Sequence, residues 1–174
     1  NREGTRHLVA AAEAGAAGAR FVLVSSLAAA GPSPKGGVRS GVEPAGPVTA
    51  YGRSKLASEQ VVTASRLPWV IARPPAVYGP RDRDNFLALF KMAPLGLCPV
   101  FGDGSQELSL VYVTDLATGL RAAGVTPGIE GRSYFVNHPE VVTSGDILRA
   151  VGALSGRRVR LLPLPRPVAT AALT

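Results

Sequence analysis

The chain has 174 residues, 46% of them apolar, and a net charge of +7 from 19 basic and 12 acidic side chains. That length suits one domain or one and a fraction, and the apolar share is enough to fill a core, which excludes wholesale disorder. A lone cysteine, Cys98, excludes an intramolecular disulfide framework and a cysteine-built zinc site, and two histidines, His7 and His138, argue against a histidine-rich metal site.

Gly, Pro or Arg interrupts every apolar run before it reaches the ~20 residues that span a bilayer. No signal-like segment follows Asn1, so a soluble, cytoplasmic protein without a membrane span is the expectation. Three of the basic residues are lysines (Lys35, Lys55, Lys91), and the rest are arginines scattered along the chain. No block of five or six like charges occurs, so nucleic acid is not an expected partner.

In chain order, residues 5–17 read as an Ala-rich helix with Leu8, Val9 and Ala12 on one face, ended by Gly15 and Gly18. The run FVLV at 21–24 is apolar throughout, as in a strand buried on both faces of a parallel sheet, and it leads into Ser25 and Ser26. Residues 31–49, rich in Gly, Pro and Ser, read as a long loop, of the kind that is usually functional. A helix is expected over 50–66 and a second buried strand over 69–73, halted by Pro74 and Pro75.

Further on, 84–92 reads as a short amphipathic helix and 94–104 as a Pro/Gly-rich turn region. A strand is expected at 108–113, then a helix with Thr114 as N-cap and Asp115 in its first turn. Another strand falls at 134–136, a helix capped by Thr143 or Ser144 runs to Leu154, and 159–164 is extended until Pro163, Pro165 and Pro167 break it. The alternation of helices with buried strands indicates an α/β fold with a parallel sheet.

Tyr51 and Lys55 stand four residues apart at the start of the second long helix, on one face and a turn from each other. An ammonium beside a phenol favours the phenolate, which suits Tyr51 to exchange a proton with an alcohol/carbonyl pair. Ser26 follows a buried strand, and ligands sit at strand carboxyl ends in open α/β sheets. A hydroxyl there can donate to the oxygen that Tyr51 protonates.

These pieces, in this order, resemble the extended short-chain dehydrogenase/reductase superfamily, the NAD-dependent epimerase/dehydratase group. The matching segments are NREGT at 1–5, RFVLVSS at 20–26, Gly31, YGRSK at 51–55, RPPAVYGPRD at 73–82 and VYVTDLA at 111–117. The resemblance implies the C-terminal part of a Rossmann-type doubly wound parallel sheet over residues 1–80, with the catalytic helix. Residues 81–174 would be mainly a small α/β substrate-binding region, with elements returning to the sheet. Tyr51 resembles the family's acid/base, Lys55 the lysine that holds the nicotinamide ribose, and Ser26 the serine that orients the reacting oxygen, with Ser25 the alternative by one register. Asn1 and the backbone from Pro74 and Pro75 through Ala76 to Val77 would lie near the cofactor, NAD or NADP. The implied partners are a small-molecule alcohol or ketone and a second copy of the chain in a homodimer.

The family's Gly-rich phosphate fingerprint is missing, since Gly15 and Gly18 follow a helix and precede a strand. The expectation is therefore a fragment lacking the front half of the sheet. Leu108 stands where sugar-nucleotide epimerases resembling this chain carry a phosphate-binding arginine, and Leu27-Ala28-Ala29-Ala30 offers no acid or base beside Ser26. Both point to the branch resembling 3β-hydroxysteroid dehydrogenases and dihydroflavonol-type reductases. The alternatives are a sugar-nucleotide epimerase and a non-catalytic cofactor-binding member.

Overall fold

A computed structural model of the chain describes residues 1–16, 18–34, 37–41, 43–82, 86, 91 and 96–164, with Phe101 and Leu164 described by backbone alone. The described residues fall into two compact units, one drawn from 1–75 with 111–137 and the other from 76–110 with 138–164.

The first unit is built on a parallel sheet of β1 (Phe21–Val24), β2 (Trp69–Arg73) and β7 (Arg132–Phe135), in the order β1-β2-β7. Val70, Ile71 and Ala72 of β2 are at most 1% exposed, as expected of a central strand covered on both faces. On one face lie α1 (Arg2–Gly15) and α3 (Ala50–Thr63), which meet through Val9 and Val62 and pack against the partly buried Phe21, Leu23 and Trp69. On the other face α4 (Val113–Val125) presents Gly119, Ala122 and Ala123 to Val70 and Ala72, leaving an apolar cavity of about 200 Å³. Arg20 ties α4 down: its guanidinium donates to the carbonyls of Ala123 (3.0 Å) and Thr126 (2.6 Å) and pairs with Glu130.

The buried stripe of α1 is Thr5, Val9 and Ala12 rather than the expected Leu8, Val9 and Ala12. Leu8 lies a quarter-turn round from the α3 contact and is 64% exposed. After Ser26 comes a single helical turn, α2 (Leu27–Ala30), and then the loop to α3. Gly31 has φ +89°, and a Cβ there would meet the Gly46 carbonyl oxygen at 2.1 Å, so only glycine lets the two loop strands close. Inside the loop, Arg39 donates to the carbonyls of Pro32 and Pro44, and Glu43 accepts from the Ser40 amide and hydroxyl and the Gly41 amide.

The second unit contains β3 (Ala76–Tyr78), β4 (Leu97–Phe101), β5 (Glu107–Leu108), β8 (Val142–Thr143), α5 (Ser144–Leu154) and β9 (Arg160–Leu164). β4 pairs in parallel with β9, and β5 pairs antiparallel with β8. The sequence suggests turns over 94–104, but Cys98 and Val100 alternate inward onto Leu148 and Val151 of α5, and that packing makes 97–101 a strand. Thr143 caps α5 in a reciprocal box with Asp146. The strand expected at 108–113 breaks at Ser109 into β5 and β6 (Leu110–Tyr112), and α4 begins at Val113 with Tyr112, not Thr114, at the cap position. The helix expected over 84–92 lies outside the described residues except for Phe86 and Lys91.

Candidate active site

The carboxyl ends of β1 and β2 and the first two turns of α3 converge within the first unit. Thr49 starts α3 by accepting the Gly52 amide at 3.0 Å, which fixes where Tyr51 sits in the first turn. Tyr51 is 52% exposed, whereas Lys55 one turn on is half-buried. The Lys55 ammonium lies 5.9 Å from the Tyr51 ring centroid and donates to the Val24 carbonyl, the last of β1, at 3.1 Å. One proton of three is used there, which leaves two N–H donors for another group.

Ser26 caps α2, its Oγ accepting the Ala28 amide at 3.2 Å. An acceptor role leaves the hydroxyl proton available to donate. Ser25 differs. It is 3% exposed, and its hydroxyl donates to Glu59 Oε1 at 2.5 Å inside the protein. The strand ends are clamped by backbone bonds, Ser25 N to the Ala72 carbonyl at 2.7 Å and Leu27 N to the Pro74 carbonyl at 2.8 Å.

Asn1 donates through Nδ2 to Ser54 Oγ at 2.9 Å, and Ser54 donates to the Tyr51 carbonyl at 2.8 Å, so Asn1 reaches the same helix start. Pro74 is buried and Pro75 half-buried just beyond β2, whereas Ala76 and Val77 open β3 in the second unit. Ala29 and Ala30, in the apolar run beside Ser26, are fully buried. The turn they form packs onto α3, so these small side chains belong to the interior.

Two residues of this region are not among the expected site residues, although Arg73 opens the segment RPPAVYGPRD. Glu59 lies one turn beyond Lys55 and is 3% exposed, and Arg73 ends β2 at 9% exposed. Arg73 holds Glu59 through two bonds, Nε to Oε1 at 2.9 Å and Nη2 to Oε2 at 2.6 Å. The legible clue would have been a carboxylate four residues past Lys55 and an arginine closing an apolar strand. Among the described residues no cluster of three or more His, Cys, Asp or Glu could hold a metal ion.

Residues 1–135 match the model of the NAD dependent epimerase/dehydratase family. The chain belongs to that family. It is 37% identical over 169 residues to a ceramide reductase of Caulobacter vibrioides, an alignment covering 96% of this chain and 47% of that protein. It is 27% identical over 152 residues to the UDP-glucose 4-epimerase of Vibrio cholerae, covering 84% of this chain and 46% of the relative. Among solved structures, the UDP-glucuronic acid 4-epimerase of Bacillus cereus in complex with NAD superposes with a TM-score of 0.77 at 27% identity. That superposition covers 91% of this chain and 54% of the epimerase. The chain thus spans about half the length of the curated relatives it matches. The fold is the Rossmann-type α/β fold of that family, and no helix among the described residues is long and apolar enough to cross a membrane.

Proposed function

We propose that this chain carries the proton-transfer half of an NAD-dependent oxidoreductase interconverting a secondary alcohol and a ketone on a small molecule. The observation that carries the proposal is Lys55, held between the Tyr51 ring and the end of the strand that leads into Ser26. In reduction the Tyr51 hydroxyl gives its proton to the substrate oxygen, and in oxidation it takes one back. Ser26 donates a hydrogen bond to the same oxygen and orients it. The two remaining N–H donors of Lys55 suit the hydroxyls of a ribose, and Asn1, Pro74 and Pro75 flank the place where its nicotinamide end would be held. When bound, a nicotinamide cofactor supplies or accepts the hydride. Its pyrophosphate and adenosine find no Gly-rich loop in this chain.

The similarity to a ceramide reductase over nearly the whole chain supports a bulky, weakly charged substrate. Leu108 supports it too, since a half-buried leucine paired against Val142 offers a diphosphate no charge. A second reading, sugar-nucleotide 4-epimerase, is favoured by the Vibrio cholerae and Bacillus cereus relatives. Cytoplasmic location fits the free, buried thiol of Cys98.

The deciding experiment offers the intact protein UDP- and dTDP-sugars, hydroxysteroid- and flavanol-type alcohols, and long-chain ketones. NAD(P)H absorbance and sugar interconversion are followed together. Saturable turnover of an alcohol or ketone is expected; turnover of a sugar nucleotide alone would establish the second reading instead.

A further inference from the structure

Beneath the Tyr51–Lys55 pair, the Ser25 hydroxyl and the Arg73 guanidinium both bond Glu59, joining the ends of β1 and β2 to the middle of α3. Burying an ion pair costs desolvation that its attraction barely repays, and apolar replacements of similar size are often neutral or stabilising. Stability alone therefore does not account for the pair. Its placement does. Ser25 is the residue before Ser26, Glu59 the residue one turn past Lys55, and Arg73 the residue before Pro74. The guanidinium lies 5.9 Å from the Phe135 ring centroid, so β7, the third strand of the sheet, flanks the same group. Both Glu59 oxygens are engaged, one by Ser25 and Arg73 Nε together and the other by Arg73 Nη2, which fixes the carboxylate in position and in rotation.

The geometry points to Glu59, Arg73 and Ser25 as positioning residues that set the rotation of α3 against the strand ends, and so the spacing of Ser26, Tyr51 and Lys55. None of the three needs to touch the reacting atoms. The inference rests on the proton-transfer role proposed for Tyr51, so its test includes a readout that does not require turnover.

The test compares the intact protein with the paired Glu59→Leu/Arg73→Met variant and with Ser25→Ala. The paired variant is expected to keep or raise the thermal midpoint. Its kcat should fall at least ~10-fold, with KM for the cofactor within about threefold, because misplacement acts on the reacting geometry. Hydrogen exchange at the Ser25 and Leu27 amides should quicken by about 10-fold or more while Val70 and Ile71 stay protected, because local opening is independent of the core. Wild-type kcat and wild-type exchange at those two amides would overturn the proposal. Should the paired variant not fold, Ser25→Ala decides, since it removes one hydroxyl and no charge. It is expected to lower kcat severalfold with an unchanged midpoint, and Ser25→Thr to restore it; full kcat in Ser25→Ala would overturn the proposal. If the wild type turns over nothing offered, the enzymatic reading fails and the exchange result alone decides whether the network positions the strand ends.

Discussion

Gly52, between Tyr51 and Arg53, is where a single methyl group should bear most directly on the reacting groups. A Cβ at this position would lie 2.3 Å from the Ala28 carbonyl oxygen and 3.0 Å from both the Ala28 carbonyl carbon and Pro47 Cβ. A tolerable C···O contact is about 3.3 Å, so α2 and the first turn of α3 must separate by roughly 1 Å. The nearest obstacle is backbone, which no side-chain rotamer can relieve. Overpacking of this kind costs about 1–3 kcal/mol, and the better helix propensity of alanine returns up to about 1 kcal/mol. Gly52→Ala should therefore lower unfolding stability by about 1–2 kcal/mol in a urea titration. Displacement of the turn that carries Tyr51, against the turn capped by Ser26, should cost far more in rate, about 10²-fold in kcat. A Gly52→Ala protein with wild-type midpoint and wild-type kcat would refute the packing argument; lost stability with full kcat would refute the link from α2 to the reacting groups.

Gly4, in the first turns of α1, has nothing within 4 Å of where a Cβ would stand, so Gly4→Ala should stabilise by about 0.5–1 kcal/mol in the same titration. Arg20→Ala removes both carbonyl bonds at the end of α4 and the Glu130 pair, and should cost about 1.5–3 kcal/mol by chemical denaturation. In the loop before α3, hydrogen bonds from the Ser40 amide first, then the loop's other donors, hold the Glu43 carboxyl down to about 2 from an ordinary 4.5. A depressed carboxyl stabilises above its unfolded value, so the loop's order should persist down to pH ~4.5 and be lost as pH falls from there through about 2. A carbon-13 titration of the Glu43 carboxyl, with amide exchange at Ser40 and Gly41, reads this directly; a midpoint near 4.5 would contradict it.

How much of this was legible in the sequence depended on whether one residue's environment could be read from its neighbours. FVLV and WVIAR announce β1 and β2 as strands, but only β2 is covered on both faces as such runs suggest; β1 lies at the edge of the described sheet, partly buried, with Val24 42% exposed. Tyr51 and Lys55 were legible because helical spacing places them together whatever surrounds them. β4 was not, because Pro99 and the flanking glycines read as a turn, while the strand depends on distant α5 packing against Cys98 and Val100. The Glu59–Arg73 pair was hidden for a related reason. Charged side chains are ordinarily solvent-facing, and nothing local marks two of them, 14 residues apart, as buried partners. Leu8 shows the converse error, an apolar residue placed on the buried face that the helix turns to solvent.

The most direct test of the account is Tyr51→Phe in the intact protein, measured as cofactor affinity by calorimetry alongside steady-state turnover of whichever substrate the panel identifies. The ring stays in place beside Lys55 and only the hydroxyl is lost, so cofactor affinity should stay within about threefold of wild type while kcat falls by ~10²–10⁴. Wild-type turnover in Tyr51→Phe would contradict the assignment of the proton-transfer step to this residue.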